Sequence, residues 1–171
     1  MHVGTELKIE KLVYGGDGLS RVEGEVVFVP FVLPGEVVTA ERTGSRKHVQ
    51  RAQLKGVLEP SADRVEAPCP IYGYCGGCQY QHAGYESQLR FKREILSETL
   101  RRTGRIEFDP ERIASVPSEP FGYRNRAQFH FAEGQVGFRE MGSRNLVAVE
   151  QCPISSPKLN EALGKLNRMV R

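Results

Sequence analysis

Three cysteines fall within ten residues, Cys69-Pro-Ile-Tyr-Gly-Tyr-Cys75-Gly-Gly-Cys78, and the fourth, Cys152, stands far downstream in a Cys-Pro step. The pattern is C-x5-C-x2-C followed by a distant C. Three thiolates in a glycine-containing loop can wrap one metal centre, because glycine removes side-chain bulk and lets backbone N–H groups approach the sulfurs. Iron–sulfur clusters are held by four Cys in loops of this general kind, although the spacing matches neither common ferredoxin pattern. Structural zinc also accepts four Cys, but its sites usually pair two short knuckles, and Cys69 and Cys152 lack such partners. Disulfides need an oxidising compartment, and nothing in the sequence signals secretion. A redox dithiol from Cys75 and Cys78 would want a helix directly after it, whereas the next helical pattern opens only near Tyr85. His82 is one more available ligand, but a lone His in a polar loop more often makes hydrogen bonds. On spacing alone, cluster and zinc both remain open.

A second chemistry is carried by charge. The 171-residue chain has 24 Lys and Arg against 21 Asp and Glu, a surplus too small by itself to indicate a polyanion partner. Its distribution says more. Arg42, Arg46, Lys47, Arg51 and Lys55 form a run with no acid among them, and Arg90 to Arg105 holds six basic residues against two Glu. Such local surpluses suit a phosphate backbone, where neutralisation releases condensed counterions; a solvated face is the bland reading of each. Tyr123, Arg124, Asn125 and Arg126 make a further polar and aromatic group, readable as an RNA-facing edge or as an ordinary strand entry with solvated Arg. Phe28 and Phe31 are candidate stacking platforms, though Phe in an alternating strand is more often core.

The elements that must position these residues are short. Glu6 to Glu10 alternates, Glu25 to Pro30 and Glu36 to Ala40 are β-branched runs, and the glycines between Gly15 and Gly18 with Pro34-Gly35 supply the turns. Five short strands in sixty residues predict a small barrel. The Gly15 to Gly18 segment leads into a strand rather than a helix, which argues against a dinucleotide loop. The stretch Glu59 to Arg64 reads as a linker. A helix is expected from about Tyr85 to Thr103, with Tyr85, Leu89, Leu96 and Leu100 on its apolar face and Gly104 as its stop. Asp109-Pro110 caps a short helical turn, and strands follow at Arg126 to Phe131, Gln135 to Arg139 and Asn145 to Val149. Ser156-Pro157 opens a last helix whose stripe of Leu159, Ala162, Leu163, Leu166, Met169 and Val170 reaches the terminus without a stop signal, as if a packing partner were missing. With 39% hydrophobic residues and no run near the roughly 18 to 20 apolar residues of a membrane span, a soluble cytoplasmic protein is expected.

Several separated motifs, in order, resemble one family. Gly15-Gly-Asp-Gly18, Val27-Phe-Val-Pro30 and Leu33-Pro-Gly-Glu36 resemble the TRAM domain, an OB-like barrel of RNA-modifying enzymes. Cys69 to His82, reading CPIYGYCGGCQYQH, resembles the [4Fe-4S] signature of bacterial RNA (uracil-5-)-methyltransferases, which make 5-methyluridine in 23S rRNA. Gln88-Leu-Arg-Phe-Lys92, Gly122-Tyr-Arg-Asn-Arg126 and Cys152-Pro153 continue the pattern. The resemblance implies an α+β chain: an OB-like TRAM β-barrel at residues 1–60, then a small mixed domain at 61–171 with a long helix, antiparallel strands and an iron–sulfur site held by Cys69, Cys75, Cys78 and Cys152. It implies ribosomal or transfer RNA as partner, with no membrane, and Arg42, Arg46, Lys47, Arg51, Lys55 and Tyr123 to Arg126 as RNA contacts.

Members of that family bind S-adenosylmethionine in a Rossmann-like domain that also supplies a nucleophilic Cys and a base. The chemistry adds a thiolate to C6 of uracil, transfers methyl to C5 and then removes the C5 proton. With all four cysteines assigned to the cluster, that domain is read as absent or separate, and the chain alone is expected to be inactive. Its expected task is to position RNA for methylation of a uridine. An iron–sulfur electron carrier and a zinc-stabilised RNA-binding module are the alternatives.

Overall fold

A computed structural model of the chain describes residues 4–46 and 49–170, with the backbone alone at 45 and 46. By its contacts the chain divides into two units, Met1–Glu66 with His82–Ser115, and Ala67–Gln81 with Val116–Arg171. No helix among the described residues is long and apolar enough to cross a membrane.

The first unit is built on six strands: β1 (Thr5–Lys8), β2 (Lys11–Leu12), β3 (Gly18–Val22), β4 (Glu25–Val29), β5 (Val37–Arg46) and β6 (Val49–Glu59). They form one curled sheet in the order β1-β5-β6-β4-β3-β2, antiparallel except where β4 runs parallel to β6. Alternation decides which side is buried. Val27 and Val29 of β4 point inward with Leu7, Ile9, Val32, Val38, Ala40 and Ala52, while Glu25 stays exposed. Three register shifts along β5 and β6 bend the longest hairpin, as bulges do. Gly18 lets the inner strands close: a Cβ there would lie 2.2 Å from Val32 Cγ2.

Glu36 locks the chain that leaves this sheet. Its carboxylate is fully buried, accepts from the Leu33 N–H (2.8 Å) and the Ser61 N–H (3.2 Å), and pairs with Arg64 at 2.5 Å. Burial alone would push this carboxyl up, but the Arg64 guanidinium and the two backbone N–H groups outweigh it and hold it below the usual range.

Helix α1 (Tyr85–Thr99) belongs to this unit, so the expected division near residue 60 and the division by contacts differ. The cause is polar pairing: Asp63 accepts from Ser87 (2.7 Å) and Arg90 (2.5 Å), and Lys11 pairs with Glu98 at 2.9 Å. Those contacts also turn the helix. Ser87 and Phe91 are its buried residues, whereas Leu96, expected on the core face, is 46% exposed. The last turn widens to a π-turn over Leu100–Gly104, and Arg105, not Gly104, takes the left-handed capping conformation with φ 54°. A single 3-10 turn at Pro110–Arg112 is capped by Asp109, as its sequence indicates.

The second unit holds an antiparallel sheet of β7 (His130–Ala132), β8 (Gln135–Arg139) and β9 (Leu146–Ala148), with α2 (Pro157–Val170) against it. Val136, Val149, Cys152, Ile154 and Leu163 form its buried core. The first strand opens at His130 rather than Arg126, since only His130 to Ala132 pair with β8; upstream, Gly122 N–H donates to Pro153 O, Arg124 N–H to Ile154 O, and Ser156 N–H to Arg124 O. On α2, Leu163 is buried and Met169 is 78% exposed.

Candidate metal centre

All four cysteines lie in the second unit and line one small cavity. The rest of its wall is largely apolar, with Ile71, Phe138, Val149 and Ile154, and one cation, Arg124. Each thiol is brought there by a different device. The loop carrying Cys69, Cys75 and Cys78 winds through tight turns, with Tyr72 N–H donating to Cys69 O and Cys75 N–H to Ile71 O, each at 3.0 Å. Two bonds then fasten it to the chain leaving β8, from Gly76 N–H to Arg139 O (3.0 Å) and from Met141 N–H to Tyr74 O (2.8 Å).

Gln81 reaches back over the loop. Its carbonyl accepts from Cys69 N–H at 3.2 Å, and its side chain hydrogen-bonds the Cys78 sulfur. On the other side, Cys152 is held in a closed turn by Asn160 of α2. The Asn160 carbonyl accepts the Cys152 N–H at 2.8 Å, and its amide donates to Cys152 O (3.0 Å) and Ser155 O (3.1 Å). Neither Gln81 nor Asn160 was singled out in the sequence. The signal for Asn160 was an amide one turn into a helix that starts just after a Cys-Pro step.

Burial pushes the Cys75 and Cys78 thiols up, since a desolvated thiolate is costly. Opposing this, Gly77 N–H bonds the Cys75 sulfur, Gln81 bonds that of Cys78, and Arg124 adds positive charge to both. The donor set therefore fits a thiolate-ligated group: four sulfurs, N–H and amide donors beside two of them, a cation close by, and apolar walls that exclude water. Among the described residues, no three His, Cys, Asp or Glu close around one point as a single ion requires; the thiols stand around the cavity walls instead.

The remaining sequence candidates are dispersed. His82 lies in the first unit, buried, with its ring Nε2 3.2 Å from Val32 O and its ring in a T-shaped contact with Phe31. Arg42, Arg51 and Lys55 are exposed on the β5–β6 hairpin, but each meets an acid: Glu25 at 3.5 Å, Asp17 at 3.1 Å and Glu41 at 2.8 Å. The run that lacks acids in sequence thus acquires them across strands. Such surface pairs contribute about 0–1 kcal/mol each, so phosphates can displace them. The Arg46 side chain and Lys47 lie outside the described residues. Tyr123, Asn125 and Arg126 are exposed, while Arg124 between them lines the cysteine cavity. Phe28 and Phe31 are half-buried.

Comparison with known proteins places these features. Residues 5–55 match the TRAM domain. The chain is 42% identical, over 97% of its length and 39% of the other's, to an uncharacterized RNA methyltransferase of Aquifex aeolicus. It is 36% identical to a 23S rRNA (uracil(1939)-C(5))-methyltransferase RlmD of Legionella pneumophila, over 95% of this chain and 38% of that one. Among solved structures it resembles the Pyrococcus abyssi tRNA (uracil-54, C5)-methyltransferase in complex with S-adenosyl-L-homocysteine, with a TM-score of 0.69 and 32% identity over 96% of this chain and 36% of that chain. The chain spans less than two fifths of the length of these relatives. Over nearly its whole length, then, it belongs to the RNA methyltransferase family that includes the RlmD uracil-C5 enzymes, with a TRAM domain at residues 5–55.

Proposed function

We propose that this chain binds RNA and holds a [4Fe-4S] cluster, and that it serves S-adenosylmethionine-dependent methylation of a uridine at C5 by positioning the RNA. The observation that carries the reading is the gathering of Cys69, Cys75, Cys78 and Cys152 around one cavity in a chain whose relatives are named RNA methyltransferases. Thiols that line one cavity without closing on a single point suit a cluster, whose irons each take one sulfur. A lone zinc ion would need all four sulfurs at about 2.3 Å from one point. The TRAM match and the exposed Arg42, Arg51 and Lys55 support RNA as partner. A cytoplasmic location, where thiols stay reduced, agrees with this chemistry.

When bound, the cluster would supply a four-thiolate cross-link. The chain's own residues do the rest: Gln81 and Asn160 hold the ligand-bearing turns, Arg124 offsets negative charge, and Ile71 and Phe138 exclude water. The role is structural. Cys152 is tied to a loop about 75 residues earlier in the chain, and closing a loop of that length otherwise costs entropy.

Anaerobic purification tests the assignment. Iron and acid-labile sulfide in equal amounts, with a broad absorption band near 400 nm, on the order expected for cysteine-ligated clusters, is the expected result. Serine at any of the four cysteine positions should lower both. A colourless protein with stoichiometric zinc would overturn the cluster. RNA affinity that falls as salt rises is expected of the same preparation.

A further inference from the structure

In the first unit, a groove of about 440 Å³ runs between the sheet and helix α1, and nothing said so far gives it a role. Tyr14 stands on its rim in the turn between β2 and β3, 88% exposed, on a backbone fixed by Val13 N–H to Asp17 O and Gly16 N–H to Val13 O, each at 2.9 Å. Phe28 of β4 contributes a second, half-buried ring. Lys11, Arg51 and Arg102 line the same groove, two of them held by surface acids, Lys11 by Glu98 (2.9 Å) and Arg51 by Asp17 (3.1 Å).

An exposed aromatic ring on a fixed turn is a stacking surface, and cations around it suit the phosphates on either side of a stacked base. That combination is how proteins hold single strands, with each stacked base worth several-fold to a hundredfold in affinity. Duplex RNA keeps its bases stacked inward and offers no free face to such a ring. At 88% exposed, the Tyr14 ring is open to a stacking partner.

We infer that this groove seats an unstacked nucleobase of a single-stranded RNA segment on the Tyr14 ring, with Lys11, Arg51 and Arg102 taking the neighbouring phosphates. The inference rests on the reading of the chain as RNA-binding and adds a location and a strand state to it. Phosphates entering the groove replace Glu98 and Asp17 as partners of Lys11 and Arg51.

The test is fluorescence anisotropy of a labelled oligouridylate of about ten nucleotides, within the site sizes of single-strand-binding folds, titrated with the full chain at several salt concentrations. Tyr14→Ala should weaken binding by roughly tenfold and Tyr14→Phe by no more than about twofold, since the ring rather than the hydroxyl does the stacking. Arg102→Gln should reduce the slope of log affinity against log salt by about 0.7, the amount expected for one lost phosphate contact on a single strand. Circular dichroism should give the same melting curve for Tyr14→Ala as for the parent chain. Unchanged affinity of Tyr14→Ala for a strand that the parent chain binds would overturn the groove and leave RNA binding intact. Duplex RNA binding as tightly as the single strand would overturn the stacking. Failure of the parent chain to bind either RNA would overturn the RNA-binding reading itself.

Discussion

Asn160 holds the turn that carries one of the four thiols gathered at the cavity. Cys152 is the ligand candidate far from the loop in sequence, and Asn160 closes its turn with one accepted and two donated hydrogen bonds. In Asn160→Ala the part-buried Cys152 N–H loses its acceptor, and an unmade hydrogen bond of this kind costs about 1–3 kcal/mol. The expected outcome is a lower urea midpoint together with less bound iron per chain. Asn160→Asp keeps the acceptor and loses the donor, so it should fall between the two. A variant with normal iron and a normal midpoint would mean that Cys152 is positioned by its neighbours in the core, Ile154 and Leu163, instead.

At the scale of elements, β8 and β9 approach closely at Gly137. A Cβ on Gly137 would lie 1.9 Å from Val147 O and 2.7 Å from its carbonyl carbon, backbone atoms with no flexible end to move aside. Gly137→Ala should therefore destabilise the second unit by about 3 kcal/mol or more. Gly142→Ala, where φ is +74° but no atom lies within 4 Å, should cost only about 1 kcal/mol; urea unfolding of the two variants checks the contrast. Elements of this kind were legible where short strand-like runs stand between turns, as in the β-branched Glu25 to Val29 and in Gln135 to Arg139. The long β5–β6 hairpin was harder to read, because its bulges break the alternation and its Arg, Lys and Gln residues look like a solvated run. The face of α1 was misread for a different reason: ion pairs to Asp63 and Lys11, which no local pattern encodes, fix its rotation. The cysteine cavity was legible from the spacing of its four residues. The turning of Arg124 toward it was not, since that depends on the pairing of Arg124 with Ser155, thirty-one residues away in sequence.

At the scale of the whole molecule, the two units should answer to different reagents. The second has about 70 residues and a short roster of fully buried apolar side chains, a size at which domains usually need a staple. Removing iron by chelation should therefore lower hydrogen-exchange protection in β8 and α2 and leave that of β3 and β4 unchanged. The first unit should instead answer to acid. His82 is buried, and its pKa is lowered to about 4: burial disfavours the charged ring, the Val32 carbonyl pulls the other way, and Arg64 adds to the lowering while Glu36 opposes it. As pH falls from about 6.5 toward 4, the unfolded chain takes a proton that the folded chain refuses, so stability present above 6.5 is lost across that window, by up to about 3 kcal/mol. Glu36 acts next. Its carboxyl is held below the usual range when folded, so its contribution is present above about 4.5 and disappears as pH falls further. Urea midpoints followed by circular dichroism from pH 7 to pH 4 should fall steadily, and His82→Gln, which keeps a donor for the Val32 carbonyl but cannot titrate, should flatten the fall between pH 6.5 and 5. An unchanged slope in His82→Gln would mean that His82 does not carry the acid sensitivity in that window.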